Sequence, residues 1–270
     1  MSAPLPDDDR NARPDTVSAL ERGIAVLRCF DEDTRTLGNT DLARRTGIPR
    51  PTVTRLAATL VTLGLLRQDR DGERYALAAG VLSLGRAFLA GLDVRAVARP
   101  HMQALAEMFG GSVYLAVRDG LEMVLIEACR ARASMLAARL DVGSRVPMAN
   151  SALGRAYLAS ISASERSQLI ETLRMTKGSE WTLLSSGLKL ALDEAQRSGF
   201  VISAGEFHRE INSVSVPLAG PGGEVMALNT GGGAYLFTPE RLRDEIAPRL
   251  AEMAQAIAAE IGGHVPSMKP

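Results

Sequence analysis

The sequence is poor in the residue types that most often carry catalytic or metal chemistry. Its 270 residues include two cysteines, three histidines and one tryptophan. Cys29 and Cys129 lie in apolar segments, where a free thiol behaves as a small buried hydrophobe, so we expect neither a disulfide framework nor a metal site. The histidines lack the spacing of metal ligands; they are His101, His208 and His264.

Motifs of nucleophilic and phosphate chemistry are also missing. The sequence has no G-x-S-x-G elbow, and the glycines at 231–233 lack the lysine of a phosphate-binding loop. We interpret those glycines as a turn. Glu206 and Glu210 could form a pair of catalytic carboxylates, although exposed acidic residues near a loop are the commoner explanation. An enzyme acting on a small carboxylic acid is therefore kept only as an alternative function, and we predict that no cofactor is bound.

Long hydrophobic runs and an excess of charge are absent too. No window of about 18 apolar residues suggests a membrane span. Residues 1–15 are polar and acidic, which predicts disorder and does not match a secretion signal. We therefore expect a cytoplasmic protein. The formal net charge is zero, but the region from Arg10 to Tyr75 carries twelve arginines against nine acidic residues. DNA binding needs a basic face rather than a basic protein.

The segment from Asn39 to Leu66 has the pattern of a helix-turn-helix. Asn39 or Thr40 is a candidate cap of a first short helix, which Gly47 ends. A second helix follows, with an apolar stripe facing a core; it comprises Val53, Leu56, Ala57, Leu60 and Leu63. The leading end of this helix carries residue types that reach phosphates and base edges in a major groove; they are Arg50, Thr52, Thr54 and Arg55. Pro51 lies among them and is included in the predicted DNA contact.

A β-hairpin directly after the second helix predicts a wing. Two short extended segments flank the turn at Asp71 and Gly72, which is typical of a hairpin. Three arginines on it suit contacts with the phosphate backbone; they are Arg67, Arg70 and Arg74. Residues 16–78 are therefore predicted to form a winged helix-turn-helix domain that binds double-stranded operator DNA.

The remaining residues predict a linker helix and a second domain. Residues 79–91 are apolar over a wide arc, which predicts a helix buried on more than one side. Residues 92–264 combine helices with strands paired through hairpins, so we expect an α+β domain with a mostly antiparallel sheet. Within it we predict a helix kinked or interrupted at Pro100, an extended segment at 135–140 and a loop at 176–186. Residues 265–270 are assigned to a tail.

By these features the chain resembles the IclR family of bacterial transcriptional regulators over residues 16–262. Four segments carry the resemblance, and they occur in the expected order: SALERGIAVLRCF, DLARRTGIPRPTVTRLAATL, VGSRVPMANSALGRAYLA and, more loosely, GFVISAGEFHREINSVSVPL. The resemblance implies a winged helix, a linker helix and a GAF-like domain that binds an effector. It also implies a homodimer or a dimer of dimers on an inverted-repeat operator.

An effector site is expected where a helix begins after Ser151. A helix N-terminus favours an anion, because its first N–H groups lack partners within the helix and lie at the positive end of the macrodipole. The resemblance implies that a small organic acid is held there by Ala152, Leu153, Ser203, Ile211, Ser213, Asn229 and Gly231. Some relatives have Asp in place of Ser203 and Cys in place of Ser213, and Asn229 replaces a common serine. We place Arg145 and Arg155 on the surface.

A structural DNA-binding protein without a ligand is the second alternative function. It is disfavoured because about 170 residues of patterned domain would then have no role. Ligand-dependent melting would separate the two possibilities, since a ligand that binds only the folded state raises the melting temperature. The effector, the operator sequence and the direction of regulation cannot be derived from these patterns.

Overall fold

A computed structural model describes residues 16–31, 33–132 and 140–268. The chain divides into two compact units, residues 1–91 and 92–270, and each is considered by itself. The predicted disorder of residues 1–15 lies outside the described residues, as does the extended segment at 135–140 except for Leu140. No helix in the described part of the chain is both long and apolar enough to cross a bilayer.

The N-terminal unit is a winged helix. Its elements are α1 (Ser18–Leu27), β1 (Leu37–Gly38), α2 (Asn39–Thr46), α3 (Arg50–Thr62), β2 (Leu66–Gln68), β3 (Arg74–Leu77) and α4 (Ala79–Ala90). The three strands form an antiparallel sheet in the order β1-β3-β2. The hydrophobic core of this unit joins all the elements except α4, through buried residues such as Val26, Leu42, Val53 and Tyr75.

The turn between α2 and α3 follows from its glycine and prolines. Gly47 has a φ of 70°, a left-handed conformation that side-chain-bearing residues rarely adopt. Pro49 and Pro51 occupy the start of α3, where a missing N–H costs little. The predicted cap at Asn39 or Thr40 is wrong. Gly38 precedes α2 instead, and its N–H donates to the Asp41 carboxylate at 3.4 Å.

The C-terminal unit is built on one six-stranded sheet. Its elements are α5 (Val94–Phe109), β4 (Ser112–Asp119), β5 (Glu122–Arg130), β6 (Arg145–Pro147), α6 (Ala152–Ser160), α7 (Ala163–Lys177), a 3-10 turn (Gly178–Glu180), α8 (Trp181–Ser198), β7 (Val201–His208), β8 (Ile211–Ala219), β9 (Val225–Gly233), α9 (Pro239–Arg241), a π turn (Leu242–Ile246) and α10 (Ala247–Ile261). The strand order is β6-β5-β4-β9-β8-β7, and all neighbours are antiparallel. The predicted α+β fold class is confirmed.

Both faces of the sheet are covered. Val113, Tyr114, Leu115 and Ala116 are consecutive in β4 and all buried, although alternate side chains in a strand point to opposite faces. Tyr114 and Ala116 belong to the core that includes α6, and α5 and α10 also pack against the sheet and against each other. The helix α6 is therefore enclosed, with the sheet on one side and α8 on another.

Three local expectations are wrong, and one of two alternatives at Pro100 is excluded. Residues 176–186 are not a loop, because α7, the 3-10 turn and α8 continue through them. Pro100 does not interrupt α5, which continues from Val94 to Phe109. Leu63 is 64% exposed and does not join the core. The glycines at 231–233 are the last residues of β9 rather than a turn.

Candidate DNA interface and ligand pocket

The helix α3 separates an inner face from an exposed one. Val53, Ala57 and Leu60 are buried against α1 and α2, so the helix is fixed to the core along one stripe. The predicted contact residues lie on the remaining surface: Arg50, Pro51, Thr54 and Arg55 are exposed and Thr52 is half-buried. The Thr54 hydroxyl donates to the Arg50 carbonyl at 3.0 Å. The structure thus brings five predicted residues together at the leading end of one helix.

The arginines of the wing differ in how tightly the protein holds them. Arg67, Arg70 and Arg74 are all exposed. Arg74 donates to the Thr36 hydroxyl at 3.1 Å and to the Thr36 carbonyl at 2.7 Å, and its guanidinium lies 3.9 Å from the Asp41 carboxylate. Because these acceptors already bind the Arg74 guanidinium, the side chain holds the wing against the rest of the unit and is less free than Arg67 and Arg70 to reach DNA.

A small cavity lies at the start of α6. Its volume is about 40 Å³, and it is lined by Tyr114, Leu140, Val146, Ser151, Ala152, Leu153, Phe207, Ile211, Ser213, Asn229 and Gly231. Six of the seven predicted effector residues are therefore brought together. The exception is Ser203, which is buried with its hydroxyl 3.3 Å from the Asn150 carbonyl. The sequence did not identify Tyr114, Leu140, Val146 or Phe207, because ordinary core positions have the same apolar pattern.

The first turn of α6 presents backbone donors to this cavity. Ser151 caps the helix: its hydroxyl accepts the Gly154 N–H at 3.1 Å and donates to the Pro147 carbonyl at 2.6 Å. Ala152 and Leu153 follow in the first turn, where N–H groups have no acceptor within the helix. None of the lining residues in the described part of the chain is charged. An anion in this cavity would therefore be held by backbone N–H groups and the helix dipole rather than by a charged lining side chain.

The amide of Asn229 is oriented by its neighbours. Its Nδ2 donates to the Val214 carbonyl at 3.1 Å and to the Ser215 hydroxyl at 3.0 Å. A carbonyl can only accept, so the nitrogen has to point toward Val214 and the oxygen Oδ1 is left as the polar atom for the cavity. Gly231 faces Ser213 across the strand pair, and a Cβ at Gly231 would lie only 2.7 Å from the Ser213 Cβ. The bare glycine permits this close approach.

Arg155 is not on the surface as predicted. Its side chain is 1% exposed, with Nη1 and Nη2 donating to the two Glu206 oxygens at 2.7 and 2.5 Å and Nε donating to the Ala149 carbonyl at 2.9 Å. A buried guanidinium requires such a partner, because leaving the charge unpaired is costly. Arg145 does lie at the surface, paired with Asp119 and Glu122.

The Arg155–Glu206 pair connects α6 to the edge strand β7. Glu206 lies where the β7–β8 register shifts, between Ala204 and His208. Its backbone carbonyl also accepts from Asn150 Nδ2 at 3.2 Å, and the next residue, Phe207, lines the cavity. The ion pair therefore positions both the residues before α6 and an aromatic wall of the cavity. Sequence spacing could not reveal a contact across fifty-one positions.

The remaining chemistry-bearing residues are held in structural contacts. The His101 Nε2 lies 2.8 Å from a Glu260 carboxylate oxygen. Burial raises the pKa of the Cys129 thiol and that of the Cys29 thiol, so little reactive thiolate is present near neutral pH. Within the described ranges, no group of three or more His, Cys, Asp and Glu side chains is arranged to hold a metal ion.

Comparison with known proteins agrees with this architecture. Residues 19–70 match the family model described as the IclR helix-turn-helix domain, and residues 86–259 match the model of the bacterial transcriptional regulator IclR C-terminal domain. Fold and comparisons together define a DNA-binding transcriptional regulator. The chain belongs to the IclR family.

Similar proteins cover nearly the whole chain. The HTH-type transcriptional regulator TsaQ1/TsaQ2 of Comamonas testosteroni is 34% identical over 258 residues, which cover 95% of this chain and 92% of that protein. KdgR of Escherichia coli K12, also an HTH-type regulator, is 28% identical over 260 residues, 95% of this chain and 97% of that one. The crystal structure of an IclR family regulator from Brucella abortus is 40% identical, with a TM-score of 0.86 and coverage of 96% and 97% of the two chains.

Proposed function

We propose that this protein is a ligand-responsive regulator that binds an operator through α3 and senses a small organic acid at the start of α6. Residues 16–78 would bind DNA, residues 79–91 would form the linker helix between the two domains, and residues 92–264 would bind the effector. A catabolic operon, transcribed in the cytoplasm, is the proposed target. The observation that carries the proposal is the cavity in which a capped helix start meets Ser213 and Asn229.

The DNA contacts follow from the exposed face of α3. A helix of this size fits a major groove, where arginine reads guanine by a bidentate contact and threonine contacts bases or phosphates. Arg50 and Arg55 are exposed at the leading end, and no residue in the described ranges forms an ion pair with either side chain. Both guanidinium groups are thus available to an operator, while Arg67 and Arg70 on the wing contact phosphates.

The chemistry of the cavity narrows the class of effector. A carboxylate at the first turn of α6 would accept from the N–H groups of Ala152 and Leu153. Because Asn229 offers an acceptor, the rest of the ligand has to supply a donor, such as a hydroxyl group. Typical ligand pockets are roughly 300–1,000 Å³, whereas this cavity is about 40 Å³. We therefore propose a small hydroxy acid, whose binding displaces Phe207.

A second subunit is proposed to cover α4. None of its residues is buried, and Leu82 and Phe88 are 74% and 53% exposed. A surface of this kind marks an interface, and closed symmetry makes a homodimer, or a dimer of dimers, the simplest assembly on an inverted-repeat operator. Light scattering should give at least a dimer at micromolar concentration, and Phe88→Asp should dissociate it. A stable wild-type monomer would contradict this part of the proposal.

Thermal-shift screening with small acids tests the function as a whole. Hydroxy acids should raise the melting temperature more than the matching acids without the hydroxyl, because only the former satisfy Asn229. The best ligand should then change affinity for DNA from upstream of the gene, and that DNA should change ligand affinity by the same factor. If no acid shifts the melting temperature, the ligand-free alternative is the better description.

A further inference from the structure

The α7–α8 cavity is a second concave site, distinct from the pocket at the start of α6. It lies between α7 and α8, has a volume of about 350 Å³ and shares no lining residue with that pocket. This volume is within the range of small-molecule sites, roughly 300–1,000 Å³. We propose that the α7–α8 cavity binds a small aromatic carboxylate, whether or not the other pocket holds the effector.

The apolar part of the cavity suits a flat ring. Trp181 at the start of α8 forms one wall, and Ile170, Leu188 and Leu192 supply aliphatic surface around it. Aromatic rings stack favourably on tryptophan in offset or edge-to-face geometry and gain beyond simple area burial. Trp181 is half-buried, so part of its ring is accessible to a ligand. A saturated or strongly polar ligand would use this surface less well.

The charged part of the cavity suits one carboxylate. Arg166 on α7 and Lys189 on α8 both line it, and Asp193 is the only acidic residue among the lining residues of the described chain. No residue in the described ranges forms an ion pair with Arg166 or Lys189. Two other cations of α7 are paired: Arg174 with Glu171 at 2.6 Å and Lys177 with Glu180 at 3.8 Å. The cavity thus has one positive charge more than its own acid can balance.

The floor of the cavity connects it to the rest of the unit. Ala159, which lines it, belongs to the last turns of α6, whose first turn lines the other pocket. In addition, α8 packs on α6 and on β7. A ligand in the α7–α8 cavity would therefore contact α6, whose first turn lines the organic-acid pocket, and α8, which packs on α6.

The single tryptophan of the chain makes a direct test possible. Trp181 is the only tryptophan in the sequence, so the intrinsic tryptophan fluorescence of the full-length protein is emitted from a residue that lines this cavity. Titration with sodium benzoate should change that fluorescence with saturation. Benzamide, the neutral analogue, should bind at least tenfold more weakly, because it cannot satisfy the two cations. The change should persist in Ser213→Leu, which alters only the other pocket.

Matched variants decide whether the charges matter. Arg166→Gln combined with Lys189→Gln should weaken benzoate binding at least tenfold, whereas Arg197→Gln, which removes an exposed cation of α8 outside the cavity, should not. Lys189→Arg keeps the charge and should retain binding, which would show that benzoate requires the positive charge at this position. Equal benzoate affinity in the double variant and the wild type would overturn the proposal.

Two further results would also overturn it. Loss of the benzoate response in Ser213→Leu would mean that the ligand occupies the other pocket. A tryptophan signal that changes with protein concentration but not with benzoate would mean that a second copy of the chain covers the cavity. The proposal for the organic-acid pocket is tested separately, by comparing the thermal shifts that hydroxy acids produce in the wild type and in Ser213→Leu, because Ser213 lines only that pocket.

Discussion

At the leading end of α3 the positive charge is carried by exposed arginine side chains, whereas at the first turn of α6 it comes from backbone N–H groups in a cavity without a charged lining residue. Both places are proposed to bind an anion. The exposed arginines remain hydrated until DNA arrives, and they can extend toward a polyanion. The enclosed helix start needs no buried cation and is fixed before the ligand binds.

Arg155 shows why the proposed anion site at the first turn of α6 uses no side-chain cation. It lies in α6 itself, close in sequence to the first turn, but its guanidinium is fully used by Glu206 and the Ala149 carbonyl. In an enclosed region an unpaired guanidinium costs too much free energy to be kept in reserve. The two proposed anion sites therefore differ in their exposure to solvent. Exposed arginines stay hydrated without a partner, so they can be left for an anion, whereas an enclosed site has to use backbone donors.

The largest expected effect sharpens the DNA side of this comparison. Replacing Arg50 and Arg55 by alanine should cost about 1–3 kcal/mol of operator binding for each bidentate base contact that is lost. Stability should hardly change, because both side chains are exposed. Fluorescence anisotropy on operator and scrambled duplexes measures the specific part. Equal operator affinity for the double variant and the wild type would show that α3 is not the reading helix.

The next prediction tests whether Arg155 is structural. Glu206→Ala leaves the Arg155 charge buried without its carboxylate. Because the Glu206 side chain is 38% exposed, water can replace part of the contact, and we expect a loss of about 2 kcal/mol in the free energy of unfolding. Urea titration measures it. Glu171→Ala breaks an exposed pair with Arg174 and should leave stability nearly unchanged. Equal effects of the two changes would contradict the assignment.

A third prediction concerns the ligand side. Ser213→Leu fills the cavity, so the melting-temperature shift produced by the effector should vanish. At a ligand concentration of 100 Kd this corresponds to a loss of about 2.7 kcal/mol of ligand-induced stabilisation. Operator affinity without ligand should remain that of the wild type, since Ser213 lies in the other unit of the chain. A variant that still responds with unchanged affinity would show that the pocket has been misplaced.

The smallest expected effect is a difference in salt dependence between DNA binding at the wing and ligand binding at α6. Arg70→Ala on the wing should weaken binding to all DNA about equally and make the salt dependence shallower by about one unit of log–log slope. Arg74→Ala should also loosen the wing, because Arg74 is bonded to Thr36. Ligand binding at α6 should depend much less on salt, as no side-chain cation is involved. An equally steep salt dependence at both sites would remove the distinction drawn between them.

Local signals were sufficient where the element carries its own boundaries. The helix α3 was predictable because a glycine precedes it, prolines open it and its apolar stripe has helical spacing. The antiparallel pairing of β8 with β9 agrees with the predicted strands paired through hairpins. The helices α7 and α8 were not separated correctly, because a 3-10 turn at Gly178–Glu180 joins them and the polar residues there resemble a loop.

The sequence by itself determined the class of fold and the positions at which the helices α3 and α6 begin, since these depend on periodicity, caps and turns among neighbouring residues. Only the tertiary structure decided which individual side chains are buried, paired or placed in a cavity. It paired Arg155 with Glu206, took Ser203 out of the cavity, engaged Arg74 with Thr36 and placed Arg166 and Lys189 beside Trp181. These outcomes depend on burial and on partners distant in the chain, and neither quantity is contained in local spacing.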